Sequence, residues 1–144
     1  MEEIKKIKLL IIESNSGDAE ALMDIFSDCN DIAIYGAYEL EAQWVKNIED
    51  AQERLKEFKF DMIFQDLDLS EHHGCKSLKI IKSLAPNVPI IVTTGYINRK
   101  LWQEAFTEGA QDFILKTSVN SQLIIKTIFY TFERLKYQHL HEVR

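Results

Sequence analysis

The chain has 144 residues and carries 17 Lys and Arg against 23 Asp and Glu, which gives a formal net charge of −6. This length suits one compact domain, and the negative charge disfavours direct binding to the phosphate backbone of nucleic acids. The composition is 46% apolar and 28% charged, which supports one buried core and excludes disorder over most of the chain.

The first predicted element is a strand over residues 7–12, an Ile- and Leu-rich run typical of a strand that is covered on both faces. Its uninterrupted apolar stretch, residues 9–12, is far shorter than the roughly 20 residues that cross a bilayer, and shorter than the core of a signal peptide. We therefore expect a cytoplasmic location without membrane insertion. Asn15 or Ser16 then caps a first helix, whose apolar face contains Leu22, Ile25, Phe26 and Cys29.

The next part of the sequence alternates between strand and helix patterns. Residues 38–44 alternate between apolar and polar side chains, which is the period of two expected of a half-exposed edge strand. The third strand covers residues 62–64 and ends at Gln65 and Asp66, and a polar loop over residues 70–74 follows it. Between these strands, a short second helix is marked by apolar residues at Ala51, Leu55 and Phe58.

Proline, asparagine and glycine delimit the later elements. Pro86 stops a third helix, and a fourth strand covers residues 90–93. Asn98 caps a fourth helix, and Gly109 ends that helix before a fifth strand over residues 113–115. The elements therefore continue the alternation of strands with helices to the end of the sheet.

The alternation predicts right-handed crossovers and a parallel sheet with helices on both faces. The fold class is therefore α/β, a doubly wound (βα)5 architecture with five parallel strands. In such sheets, ligands bind beyond the carboxyl ends of the strands. The side chains that follow these strand ends are polar and should converge on one edge: Glu13, Ser14, Asp66, Asp68, Thr94 and Lys116.

The side chains at this edge have the chemistry needed for phosphoryl transfer. Carboxylates can hold a hard divalent cation such as Mg²⁺, which prefers oxygen ligands and retains several waters. A lysine and a hydroxyl suit phosphoryl oxygens, and an aspartate carboxylate can act as the nucleophile. Asp66 is the candidate nucleophile because it directly follows an apolar strand.

Four segments resemble motifs of the receiver domains of two-component response regulators and hybrid histidine kinases, and they occur in the same order as in that family. They read LLIIESNSGDAE at residues 9–20, FDMIFQDLDL at 60–69, VPIIVTTG at 88–95 and GAQDFILK at 109–116. The resemblance covers residues 7–134 and implies a flavodoxin-like sheet in the strand order 2-1-3-4-5. We expect a single receiver domain over residues 1–144, in which residues 135–144 form a helical extension that links to a further domain.

The resemblance implies roles in phosphorylation and switching. Asp66 resembles the phosphoacceptor, which takes a phosphoryl group from a histidine kinase or a phosphotransfer protein. Lys116 would pair with the phosphoryl group, and Thr94 resembles the switch hydroxyl that moves toward it. Phe113 stands at the position of the aromatic switch residue, where Tyr is more usual. New contacts to a phosphoryl group would shift the domain between two surface conformations.

The expected metal site departs from the receiver pattern. The resemblance assigns Mg²⁺ to Glu13, Ser14, Asp66 and the backbone carbonyl of Asp68. Receivers have two adjacent acids after the first strand, but here Ser14 stands at the second position. Its neutral hydroxyl is a poorer ligand than a carboxylate, so we expect weaker Mg²⁺ binding, with partial compensation by Glu13.

Two alternative functions stay open. A degenerate pseudo-receiver would fold and bind a partner without being phosphorylated, and Ser14 favours this interpretation. An aspartyl-phosphate phosphatase would use Asp66 and Asp68 as a D-x-D motif, but that family needs a later acidic pair, which is missing after Lys116. We therefore expect a regulatory phosphoacceptor domain rather than an enzyme.

The last helix begins near Asn120 and has two apolar stripes. One stripe can face the sheet and contains Ile124, Ile128 and Leu135. The other predicts a surface for a partner or for self-association and contains Ile125, Phe129, Phe132 and Tyr137. The resemblance also implies an output face made by the fourth helix, the fifth strand and the fifth helix, through which the chain would form a homodimer.

Overall fold

The computed structural model describes residues 5–31, 38–69 and 75–142. Within these residues, five strands alternate with five helices: β1 (Lys5–Ile12), α1 (Ser16–Asp31), β2 (Tyr38–Val45), α2 (Ile48–Glu57), β3 (Met62–Asp66), α3 (Cys75–Leu84), β4 (Ile90–Thr94), α4 (Arg99–Thr107), β5 (Ala110–Leu115) and α5 (Ser121–Glu142). The strands form one parallel sheet in the order β2-β1-β3-β4-β5. The predicted α/β doubly wound (βα)5 class and its strand order are confirmed. The polar loop predicted over residues 70–74 lies outside the described residues.

Each face of the sheet is covered by its own apolar core. Helices α2, α3 and α4 cover the face that carries Leu10, Ile63 and Val92. Helices α1 and α5 cover the opposite face, where Phe26 of α1 packs edge-on against Phe64 of β3 with ring centroids 5.1 Å apart. Strands β3 and β4 are buried at every position, which explains their uninterrupted apolar runs. None of the helices described here is long and apolar enough to span a membrane.

Asparagine caps fix the starts of two helices near the carboxyl edge of the sheet. The Oδ1 atom of Asn15 accepts a hydrogen bond from the backbone N–H of Asp18 at 2.9 Å, which caps α1. The Oδ1 atom of Asn98 accepts one from the N–H of Leu101 at 3.1 Å, which caps α4. Gly109 follows α4 with a φ of 106°, a left-handed conformation that favours glycine. The predicted caps and the predicted glycine stop are confirmed.

Two strands begin earlier than predicted. β1 begins at Lys5 rather than at residue 7, and it pairs with β2 over its whole length but with β3 from Leu9 onward. β5 begins at Ala110 rather than at residue 113, and its pairing with β4 is irregular near its start. Both extra segments include exposed or half-buried polar side chains, among them Gln111 and Asp112. They lie where the sheet is open on one side, so they lack the apolar run by which a buried strand is recognised.

A side chain of α1 covers part of the edge strand β2. The Nδ2 atom of Asn30 donates to the carbonyl oxygen of Leu40 at 3.0 Å, and its Oδ1 atom accepts from the N–H of Leu40 at 2.8 Å. Glu39 and Glu41 are exposed, whereas Leu40 and Trp44 are half-buried against the core. The predicted half-exposed edge strand is therefore confirmed.

The second apolar stripe of the last helix contributes to the core, so its interpretation as an association surface is wrong for most of its length. Ile125 is 8% exposed, and Phe129 and Phe132 are half-buried against the same core. The ring of Phe129 packs edge-on against Tyr38 of β2, with centroids 5.3 Å apart. The helix pattern showed that the stripe is apolar but not that α1 and β2 cover it. Tyr137, further along α5, is 65% exposed.

Candidate functional site

Three of the predicted site residues meet at the carboxyl edge of the sheet. The Lys116 Nζ atom, just after β5, lies 2.7 Å from the Glu13 Oε1 atom and 3.2 Å from the Asp66 Oδ1 atom. Glu13 follows β1 and Asp66 ends β3, and these two strands are paired up to Ile12 and Gln65. The parallel register therefore brings both carboxylates next to one ammonium.

A third carboxylate, which sequence analysis did not identify as a site residue, joins this group. The Oδ2 atom of Asp18, in the first turn of α1, lies 3.1 Å from the Lys116 Nζ atom. Asn15 fixes this turn, because its N–H donates to the Glu13 Oε2 atom at 3.1 Å while its side chain caps Asp18. The asparagine cap was the available signal, since it makes Asp18 the third helical residue, next to the end of β1. We call Glu13, Asp18 and Asp66 the carboxylate cluster.

Burial differs within the carboxylate cluster and sets its electrostatics. The side chains of Glu13 and Asp66 are 5% and 2% exposed, whereas that of Asp18 is 45% exposed. Burial, together with contact with Asp66, raises the pKa of Glu13 to about 7 from its ordinary 4.5, against the opposing effect of Lys116. Burial lowers the pKa of Lys116, but its contacts with Glu13, Asp66 and Asp18 outweigh burial and hold this pKa above its ordinary value. Lys116 is therefore an ammonium at neutral pH.

The other two predicted metal-site residues adjoin the carboxylate cluster. The backbone N–H of Asp68 donates to the Asp66 Oδ1 atom at 2.9 Å, while Asp68 itself is exposed. Ser14 is half-buried beside Glu13 and supplies no carboxylate. Over the described ranges, no group of three or more His, Cys, Asp and Glu side chains is arranged to hold a metal ion. The adjacent carboxylates of Glu13 and Asp66 nevertheless fit Mg²⁺, which needs one or two carboxylates and otherwise keeps its waters.

The hydroxyl of Thr94 is hydrogen-bonded to the loop that follows β4. Its Oγ1 atom donates to the carbonyl oxygen of Tyr96 at 2.6 Å and accepts from the N–H of Tyr96 at 3.2 Å. The backbone of Thr94 lies next to the site, because its carbonyl accepts from the N–H of Lys116 at 2.9 Å. The backbone of the predicted switch residue is therefore joined to Lys116, while its hydroxyl holds the loop at Tyr96.

The predicted aromatic switch residue, Phe113, is stacked on Trp102 of α4. The ring centroids lie 5.0 Å apart and the ring planes are inclined by 18°. Both rings line an apolar groove of about 700 Å³ on α4, which also includes Ile97 and Phe106. Ile97 is 71% exposed and Phe106 is 68% exposed. The stack links β5 to α4, and sequence analysis did not identify Trp102 as part of it.

Comparison with known proteins identifies the family of the chain. The family model of the response regulator receiver domain matches residues 18–128. Chemotaxis protein CheY from Thermotoga maritima is 32% identical over 94 residues, which cover 65% of this chain and 78% of CheY. The transcriptional regulatory protein ZraR from Klebsiella oxytoca is 33% identical over 66 residues, which cover 46% of this chain. That match spans 15% of ZraR, so the chain corresponds to a small part of that relative.

Solved structures share the fold over nearly the whole chain. A response regulator receiver domain protein from Clostridium thermocellum superposes with a TM-score of 0.75 at 19% identity, covering 92% of this chain and 98% of that one. A CheY-like receiver domain protein from Methanospirillum hungatei gives a TM-score of 0.71 at 19% identity, covering 93% and 99%. The family model matches well over half of the chain. The chain belongs to the response regulator receiver domain family of two-component signal transduction.

Proposed function

We propose that this receiver domain accepts a phosphoryl group on Asp66 from the phosphohistidine of a histidine kinase or of a phosphotransfer protein. The supporting observation is the Lys116 ammonium, which lies 3.2 Å from the Asp66 Oδ1 atom at the carboxyl edge of the sheet. An Asp66 oxygen attacks phosphorus, and the new O–P bond forms as the P–N bond breaks. The imidazole nitrogen keeps the electron pair. The domain then acts as a regulatory phosphoacceptor rather than as an enzyme.

The residues of the site have different roles in this phosphoryl transfer. The N–H of Asp68 orients the Asp66 carboxylate through its 2.9 Å hydrogen bond. Lys116 offsets the charge of the arriving phosphoryl group. Glu13 and Asp66 would hold Mg²⁺, with the carbonyl of Asp68 as a further oxygen ligand. When bound, the metal supplies additional charge neutralisation for the phosphoryl oxygens.

The phosphorylated state is proposed to change the surface around α4. A phosphoryl group adds about −1.5 to −2 charges at neutral pH, which attracts hydroxyl donors. Thr94 would exchange its hydrogen bond with the Tyr96 carbonyl for one with a phosphoryl oxygen, which releases the β4–α4 loop. The loop leads into the groove where Phe113 stacks on Trp102. We propose this α4–β5–α5 face as the site of partner binding and of homodimer formation.

A second candidate function is a pseudo-receiver that binds its partner without phosphorylation. Two observations favour it. Ser14 leaves the end of β1 with one acid instead of two, and the Lys116 ammonium contacts three carboxylates. Both features reduce the attraction of the site for Mg²⁺ and for a phosphoryl donor. This candidate predicts binding of the same partner by wild type and by an Asp66→Asn variant.

The deciding experiment is incubation with acetyl phosphate and Mg²⁺, followed by intact mass measurement. We expect wild type to gain the mass of one phosphoryl group and Asp66→Asn to gain none. Asp24→Asn is the matched control, because Asp24 is exposed on α1, and it should be labelled like wild type. Absence of labelling in wild type would favour the pseudo-receiver. Turnover of p-nitrophenyl phosphate would instead support the phosphatase alternative.

A further inference from the structure

The Lys116 ammonium lies in ion contact with three carboxylates and donates a hydrogen bond to Asp18. Its Nζ atom lies 2.7 Å from Glu13, 3.1 Å from Asp18 and 3.2 Å from Asp66. A lysine ammonium has three donors and no more. Because these carboxylates already surround the ammonium, a phosphoryl oxygen that approaches Lys116 competes with them for its N–H donors.

The three contacts differ in how readily they can be given up. Glu13 is buried and also accepts from the N–H of Asn15. Asp66 is the residue that would carry the phosphoryl group, so its side chain stays beside Lys116 in both the unphosphorylated and the phosphorylated domain. Asp18 is 45% exposed, so water can solvate its carboxylate when the ammonium turns away. The positive end of the α1 dipole also stabilises the Asp18 carboxylate in the first turn.

We propose that Asp18 is a positioning residue that competes with the phosphoryl group for Lys116 and so restrains phosphoryl uptake. This inference rests on the proposed phosphoacceptor function. In the resting domain, Asp18 holds the ammonium on the side of α1. Its negative charge also repels a dianionic group on Asp66. Both effects have the same sign, so removal of the Asp18 charge should favour the phosphorylated form.

The size of the effect follows from the exposure of Asp18. Ion pairs with an exposed partner contribute little free energy. The loss of such a pair should therefore change the binding equilibrium of a phosphoryl group by about two- to fivefold. Such a pair is also screened by salt, because the Debye length falls from about 10 Å at 0.1 M to about 3 Å at 1 M. An effect that acts through the Asp18 charge should therefore shrink at high salt, whereas a packing defect would not.

The test compares the binding of beryllofluoride, a phosphoryl analogue, at a fixed saturating concentration of Mg²⁺. Intrinsic fluorescence reports binding, since the Nε1 atom of Trp44 donates to the Glu13 carbonyl at 2.9 Å. We expect Asp18→Asn to bind beryllofluoride two- to fivefold more tightly than wild type at about 0.1 M salt, with the difference largely lost at about 1 M. Asp18→Glu keeps the negative charge, so its affinity for beryllofluoride should be close to that of wild type.

The matched control is Glu20→Gln, which makes the same charge change at an exposed position of α1. It should bind like wild type. Equal or weaker binding by Asp18→Asn, or equally tight binding by Glu20→Gln, would overturn the proposal while leaving the phosphoacceptor function intact. If beryllofluoride binds neither wild type nor any variant, the phosphoacceptor function is refuted. The proposed competition of Asp18 for Lys116 is then refuted as well.

Discussion

The Glu13 carboxylate and the Lys116 ammonium lie 2.7 Å apart, the shortest of the three ion contacts that Lys116 makes. Burial and the neighbouring Asp66 nevertheless raise the pKa of Glu13 to about 7. Burial is the largest cause of this rise in pKa, and together with Asp66 it outweighs the opposing effect of the ammonium. Glu13 therefore retains its proton to a higher pH than a separate glutamate would.

The raised pKa of Glu13 predicts that stability falls as the pH rises. Between pH 4.5 and about 7, the folded protein retains a proton that the unfolded chain has lost, so folding is favoured less at the higher pH. The fall should be on the order of 3 kcal/mol. Glu13→Gln cannot ionise and should lose most of this pH dependence. Urea denaturation across this range measures it, with Glu20→Gln as the control that keeps the wild-type slope. An unchanged slope in Glu13→Gln would contradict the assignment.

Restoration of the second acid after β1 should strengthen Mg²⁺ binding. Ser14→Asp adds an anionic oxygen ligand beside Glu13, and we expect the dissociation constant to fall about tenfold. Titration with Mg²⁺, followed by intrinsic fluorescence, gives the constant. Ser16→Asp adds the same charge at an exposed position and should have a much smaller effect. No gain in Ser14→Asp would mean that residue 14 does not face the metal. No wild-type binding at several millimolar, roughly the weak end of divalent sites, would refute compensation by Glu13.

The Thr94 hydroxyl should protect the amide of Tyr96 from hydrogen exchange. That N–H donates to the Thr94 Oγ1 atom at 3.2 Å, and the same hydroxyl donates to the Tyr96 carbonyl. Thr94→Val keeps the shape of the side chain but removes both hydrogen bonds, so the Tyr96 amide should exchange up to about tenfold faster. Thr94→Ser keeps the hydroxyl and should retain protection. Equal exchange in the two variants would show that the hydroxyl does not hold this loop.

The stack of Trp102 on Phe113 should stabilise the fold measurably. Trp102→Ala removes the contact at 5.0 Å and should lower the free energy of unfolding by about 1 to 3 kcal/mol. Phe106→Ala is the matched control, since Phe106 lies on the same helix but is 68% exposed, and it should cost less than about 0.5 kcal/mol. Comparable losses in the two variants would argue against the stack.

A conservative replacement of Trp102 tests the chemistry of the same position. The indole Nε1 atom is buried without a hydrogen-bond partner in the described part of the chain. Trp102→Phe keeps an aromatic ring against Phe113 and removes this unsatisfied donor, so the free energy of unfolding should stay within about 0.5 kcal/mol of wild type. Thermal or urea unfolding measures the difference. A loss as large as that of Trp102→Ala would mean that the six-membered ring alone cannot form the stack.

The sheet and three of the site residues could be predicted from the sequence because they depend on short apolar runs and on the parallel order of the strands. Apolar runs mark the buried strands β3 and β4. Because the carboxyl ends of parallel strands lie at one edge of the sheet, Glu13, Asp66 and Lys116 are expected there independently of how their side chains pack. Asp18 was not assigned to the site, because its contact depends on the rotation of α1 about its axis as well as on the cap.

Contacts that depend on the three-dimensional packing were harder to predict. The stacking of Trp102 on Phe113 joins α4 to β5, and the cover over Ile125 comes from α1 and β2. Hydrophobic periodicity shows which side of a helix is apolar but does not identify the surface that packs against it. The loop hydrogen bonds of Thr94 likewise depend on the backbone path of Tyr96, for which the sequence gives no pattern.

The bidentate contact of Asn30 with Leu40 bears on how this domain avoids aggregation. An incoming strand at the β2 margin would need the N–H and the carbonyl of Leu40, and both are already satisfied by Asn30. Exposed Glu39 and Glu41 on either side would repel a second copy of the same strand. Lateral growth of the sheet into fibrils or strand-swapped oligomers is thereby opposed at this margin.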